Sequence, residues 1–271
     1  MGSLIKTEWL KLKKYKAFWW MIVIVALSYP GINALFYQIY KEFITDKSRG
    51  GDMVKMLIGI PFTFPEVWHT VAYASSIFVF IPSIVVIMFI TNEYTYKTHR
   101  QNIIDGWSRN QFMTSKMIDV IIISLLITLV FTLAALGIGY LNISESDSNP
   151  FSGSKYIGLF FLQTFSQLSI AFLIAFLTRK AFIALGIFLF YKIILENILL
   201  GLSKWQHLSI GDFLPFQISN MLIPVPAFLG KFQEDAYTAA MAAINTHIIY
   251  TIVLIGLTWG LCFWLNSKRD L

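Results

Sequence analysis

Charge is what this sequence has least of. Only 13% of its 271 residues are Asp, Glu, Lys or Arg, against about 25% in soluble domains, while 56% are apolar. So little charge cannot cover an aqueous surface, and an ordinary soluble fold is excluded. Cysteine occurs once, at Cys262, which excludes an intramolecular disulfide and a cysteine-built metal cluster. A glycine-rich GxxxxGK[ST] loop that could cradle nucleotide phosphates is absent, as are HExxH and paired intramembrane aspartates. The chain is therefore expected to hold no catalytic residue, cofactor or metal of its own. His69 and His247 fall near the external starts of two apolar segments and are not expected to be metal ligands.

What is abundant is long apolar sequence. Six segments of about 20 residues carry almost no charge, the length an α-helix needs to cross a bilayer. They run over 17–38, 68–91, 117–140, 156–177, 181–200 and 243–265. The expected fold is thus an all-α integral membrane protein, a single domain over 1–271. Residues 17–40 are longer than a signal-peptide core and lack a small-residue cleavage site, so they read as a retained signal-anchor helix. Tyr29-Pro30-Gly31 predicts a kink within this first span.

Net charge is +6, yet the basic residues flank apolar segments instead of lining one groove, which argues against nucleic acid and for membrane lipid. Counted by side, thirteen of the 21 Lys and Arg fall before span 1, between spans 2 and 3, at Arg179-Lys180 and at Lys268-Arg269, and seven fall on the opposite side. The excess places both termini in the cytoplasm of a multi-pass protein of a plasma or bacterial inner membrane.

The segments between the spans differ in kind. Residues 4–14, LIKTEWLKLKK, form an amphipathic pattern that suits either an interfacial helix, with Leu4, Ile5, Trp9 and Leu12 inward, or an extension of span 1. Residues 39–67 are expected to form an external loop carrying a surface helix near Met56 to Ile60. Residues 141–155 are turn-rich and acidic. The region 201–242, with Pro215, Pro224 and Pro226, is too interrupted to span and predicts short external re-entrant or interfacial helices before span 6.

Residues 92–116, NEYTYKTHRQNIIDGWSRNQFMTSK, mix charges of both signs with Ile103, Ile104, Trp107 and Phe112. The pattern predicts an extension of span 2, a short helix near 99–104, a turn at Asp105-Gly106, and Ser108 capping the helix that enters span 3. Within the spans, Lys192 and Glu196 stand four apart and are expected to pair or to face a polar cavity. Gln163 and Gln167 share a face in span 4, with Ser166 and Ser169 beside them, so these polar residues are candidates for a pathway or for helix packing. Gly137-x-Gly139 and Gly256-x-x-x-Gly260 are candidate close-approach faces.

With its basic amphipathic start, six spans and the run from Asn92 to Lys116, the chain resembles the permease subunit of a type-2 ABC transporter. That family includes self-protection, multidrug and sodium export permeases. Its members place an acidic residue at the end of span 2, a Thr-x-Arg element after it, and a Ser-Arg-x-x-Phe-x-x-x-Lys element entering span 3. These positions are Glu93, Thr98, Arg100, Ser108, Arg109, Phe112 and Lys116 here, and Trp107 lies within the same run. The resemblance implies that these residues form a cytoplasmic coupling helix and its supports, contacting separate ABC ATPase subunits that bind ATP and Mg. It also implies a second permease copy or a related permease, and export of a peptide or hydrophobic compound. Where many relatives have Gly-Thr and a proline, this chain has Lys97-Thr98-His99 and no proline. The alternative function is a non-transport scaffold or sensor-associated protein that docks a cytoplasmic partner.

Overall fold

The structure, a computed structural model, describes residues 2–45, 60–104, 106–142, 149–206 and 208–268. Residues 56–59 of the expected surface helix, Asp105 of the expected turn, residues 143–148 of the acidic loop, the side chains of Leu4 and Ile5, and the last three residues lie outside that set.

Every described element is helical. Six stretches are long and apolar enough to cross a membrane: Lys16–Glu42, Val67–Thr95, Arg109–Leu141, Lys155–Thr178, Ala181–Trp205 and Ala227–Lys268. Each contains one of the expected spans and is longer, because helical hydrogen bonding does not stop where apolarity does. The N-terminal stretch forms its own helix, α1 (Gly2–Lys14), separated by Tyr15 from α2 (Lys16–Thr45), which stays helical through Pro30.

The second crossing is α3 (Val67–Ser76), a 3-10 turn at Ile77–Val79, and α4 (Phe80–Thr95). A short helix, α5 (Thr98–Ile104), precedes the third crossing, α6 (Arg109–Leu141). The fourth is α7 (Lys155–Thr178). In the fifth, α8 (Ala181–Leu189) passes through a π-helical segment at Phe190–Leu195 into α9 (Glu196–Trp205). The short helices α10 (Pro215–Asn220) and α11 (Ala227–Gly230) then lead to α12 (Glu234–Lys268).

Helix α7 is the axis of the bundle and packs against α4, α6 and α12. In its apolar window 72% of residues are buried, against 17% in the Ala181–Trp205 crossing, so α7 faces protein and the fifth crossing mostly faces outward. The sequence explains the difference: α7 carries Gln163, Thr164, Ser166, Gln167 and Ser169, all buried, whereas Phe182, Ile187, Phe190 and Ile193 on the fifth crossing are exposed. Trp259 of α12 donates to Ser169 Oγ at 2.9 Å, one of the bonds that use this polar content.

Gly139 is a true close approach, since a Cβ there would overlap the Phe64 ring; Gly137, Gly256 and Gly260 meet nothing within 4 Å inside the chain. At the break between α4 and α5, Lys97 takes φ +57°, a left-handed conformation that costs an ordinary residue about 1 kcal/mol and glycine almost nothing. Lys97→Gly should therefore raise the thermal midpoint of the detergent-solubilised protein, whereas Lys97→Ala should leave it unchanged.

Candidate functional site

One end of the bundle gathers α1, the 96–108 segment, the Arg179-Lys180 turn and the end of α12. At its centre is a buried cluster of charge. Lys116, on the first turns of α6, is 1% exposed and places Nζ 2.6 Å from Glu8 Oε2, 2.7 Å from Glu93 Oε1 and 3.2 Å from Asp119 Oδ2. Lys11 reaches the same group from α1, 2.9 Å from Glu8 and 3.3 Å from Glu93. Phe89 and Phe112 flank the Lys116 ammonium at 5.3 and 5.6 Å, so it meets aromatic faces where it does not meet carboxylate.

Three carboxylates share two ammonium groups, and Glu93 Oε2 is buried without a donor among the described residues. The arrangement joins three chain segments that share no backbone hydrogen bonds: α1 by Glu8 and Lys11, the end of α4 by Glu93, and the start of α6 by Lys116 and Asp119. Isolated ions could not be held at this depth; their mutual pairing is what permits burial.

Burial by itself pushes the Glu8 carboxyl up, but the Lys116 ammonium, a hydrogen bond with Asp119 and the Lys11 ammonium together outweigh it and hold the group down at about 2, against an ordinary 4.5. A depressed carboxylate contributes stability that is complete above its unfolded value and disappears as pH falls through the folded one. Docking of α1 should therefore weaken as pH drops from about 4.5 towards 2. Amide exchange of residues 2–14 in lipid nanodiscs should report that loss of protection, and Glu8→Gln should already exchange fast at pH 6 with no transition.

The segment between α4 and α6 is braced at both ends. Thr98 Oγ1 donates to the Glu93 carbonyl at 3.4 Å, and His99 Nδ1 lies 3.1 Å from the same oxygen. His99 packs on Tyr94, whose other neighbours include the Arg179 guanidinium, 5.2 Å from its ring. Gly106 takes φ +97°, the left-handed region that admits glycine freely. Ser108 then caps α6 reciprocally with Gln111: Gln111 N donates to Ser108 Oγ at 3.1 Å, and Ser108 N donates to Gln111 Oε1 at 2.8 Å. Arg109 Nη1 donates to the Ser267 carbonyl, and Asn266 donates to the Arg109 carbonyl, which fixes the end of α12 to the start of α6.

The sequence candidates thus divide. Thr98, Arg100 and Ser108 are exposed, Trp107 and Arg109 are partly covered, and Glu93, Phe112 and Lys116 are buried. Ile104, one of the apolar residues of this segment, is 77% exposed at the end of α5. Lys11 lies 5.6 Å from the Trp107 ring, so α1 touches this segment as well as the cluster. Sequence reasoning missed Glu8, Lys11 and Asp119 as partners. Asp119 could have been found, since it lies three residues after Lys116 on one helical face.

The other four candidates meet in a polar layer in the opposite half of the bundle. Gln163 and Gln167 of α7 donate to Asn220 Oδ1 of α10 at 3.1 and 2.9 Å. Lys192 Nζ donates to Gln167 Oε1 at 2.7 Å. Glu196 accepts the backbone N–H groups of Phe216 and Gln217 at 3.3 and 2.5 Å, at the start of α10. Lys192 and Glu196 form no direct ion pair among the described residues. Lys192 lies in the π segment, whose wider turn removes the α-helical i,i+4 facing on which the expectation of mutual pairing rested. On the same side of the bundle His69 Nε2 lies 2.8 Å from the Pro224 carbonyl and stacks on Tyr156 at 4.4 Å.

Six long apolar helices, a buried ionic cluster and polar crossbraces between helices define a multi-pass membrane protein. The sequence profile described as ABC-2 family transporter protein matches residues 4–195, from α1 through the π segment. The chain belongs to this family. None of the curated proteins matches it.

Proposed function

We propose that the chain is the permease subunit of an ATP-driven exporter, coupled through α5 to separate ABC ATPase subunits on the cytoplasmic side, where ATP and Mg would be bound. The observation that carries this reading is the mechanical continuity of the α5 region. The short helix leaves Arg100 and Ile104 open to a partner, while its flanks are tied to α4 and α6 and, through the ionic cluster, to α1. A push on α5 is then shared by two membrane crossings, because the cluster has no slack in which to absorb it. Glu93, Phe112 and Lys116 act from the interior as the supports of the coupling element, and Thr98, Arg100, Trp107, Ser108 and Arg109 form or position its surface.

The lysines and arginines around this end, including Lys13, Lys14, Lys97, Arg100, Arg179 and Lys180, favour a cytoplasmic side facing anionic lipid. The exposed apolar surfaces of the first, fifth and sixth crossings suit lipid and a second permease copy or a related permease. The polar layer around Gln163, Gln167, Lys192 and Glu196 stands on the external side, with α10 and α11 as interfacial or re-entrant helices. The cargo that suits an apolar bundle is a peptide or hydrophobic compound.

The test is reconstitution with the partner ABC ATPase. Ile104→Asp and Arg100→Glu alter exposed side chains, so the permease should insert and melt as the parent does. Transport should fall at least tenfold while ATP hydrolysis by the complex loses its response to the permease. Undiminished transport by both variants would remove α5 as the coupling element, and the scaffold alternative would take its place.

A further inference from the structure

A cavity of about 600 Å³ opens beside the polar layer, between the ends of α3, α9 and α12 and the short helices α10 and α11. Its size falls in the range of small-ligand sites, about 300–1,000 Å³. The walls include Met221, Ile223, Val225 and Leu229, and the polar groups include Lys204 and Asn220. Among the described residues, none that lines it is acidic.

The direction of the hydrogen bonds at its floor carries the argument. Lys192 donates to Gln167, and Gln167 and Gln163 both donate to Asn220 Oδ1. The Asn220 oxygen is thereby occupied twice, and its amide hydrogens are what it has left to offer. Each step points the positive end of a dipole towards the cavity, with the Lys192 ammonium behind the relay and the Lys204 ammonium at the wall. The nearby Glu196 carboxylate is turned away, holding two backbone N–H groups of α10. Glu66 lines a neighbouring pocket with Lys231. An apolar chamber with donors at its polar side and no acid among the described residues of its wall selects an anionic group on an apolar chain.

We propose that this cavity is a binding site for a single-chain anionic amphiphile, its carboxylate or phosphate head accepting hydrogen bonds from Lys204 and Asn220 and its first carbons packed against Met221, Ile223 and Leu229. The site belongs to this chain alone and does not depend on a partner ATPase.

Acyl chains bearing a diazirine near the head test it, with a carboxylate, a phosphate or an uncharged hydroxyl as head group. Each is irradiated with the full chain in lipid nanodiscs, and the labelled peptides are mapped by mass spectrometry. One or both anionic probes should label residues 221–237 at least tenfold more than the hydroxyl probe, and the identity of the better probe assigns the head group. Lys204→Gln should erase that excess, and Leu229→Trp, which fills the chamber, should lower labelling by all three probes. Equal labelling by charged and uncharged probes would overturn the proposal. So would labelling in this region that neither variant changes.

Discussion

Lys116→Met is expected to be the most damaging single substitution outside the apolar core, costing about 3–5 kcal/mol, the range for removing one partner of a buried ion pair. The methionine side chain nearly fills the lysine's volume, so the loss is electrostatic. Glu8, Glu93 and Asp119 would be left crowded together, with Lys11 as the one nearby ammonium among the described residues and Lys11 itself 27% exposed. The protein should lose its monodisperse peak after detergent extraction, or melt well below the parent.

The informative comparison adds Glu8→Gln and Glu93→Gln to Lys116→Met. If the cost is that of uncompensated charge, the triple variant should recover much of the lost thermal stability, because its neutral amides can remain buried with fewer penalties. Transport should stay low in the same variant, since α1 and α4 are then no longer bound to α6 by charge. Equal instability of the single and triple variants would assign the loss to packing around Phe89 and Phe112 instead.

That cluster also shows where the sequence was legible and where it was not. The six crossings could be read from length and lack of charge alone, because a lipid-facing helix needs no particular partner. The Ser108 cap was legible too, since Ser108 and Gln111 carry their geometry within four residues. Glu8 was not legible. It stands in a lysine-rich stretch that reads as a solvated face, and it is buried only because Lys116, 108 residues later, closes on it. The start of α6 at Arg109 was legible from the Ser108 cap, as the residue that follows it. The start of α12 was not: it lies at Glu234, where Glu234 and Asp235 suit the positive end of the helix dipole, nine residues before the expected span begins at Ala243. Local chemistry predicted local structure; contacts between distant segments did not follow from it.

Glu196 and Lys192 give the second large effect, and an asymmetric one. Glu196 is expected to matter more although both side chains carry one charge within an apolar crossing. Its carboxylate satisfies two backbone donors at the start of α10, where helical geometry leaves N–H groups without partners. Glu196→Leu would orphan both. Unsatisfied buried donors cost about 1–3 kcal/mol each, so two of them predict a loss of about 2–6 kcal/mol, with α10 released from the bundle. Lys192→Met removes a charge whose hydrogen bond is to the Gln167 amide, and its cost should stay near 1 kcal/mol. A double-mutant cycle on thermal midpoints then separates two pictures of this crossing. Two residues joined as an ion pair would show a coupling comparable to either single loss. Residues serving different partners, one the start of α10 and the other Gln167, should show coupling below about 0.5 kcal/mol. A large coupling would mean that the π segment does not turn Lys192 away from Glu196 in the membrane, and the relay from Lys192 to Asn220 would lose its origin.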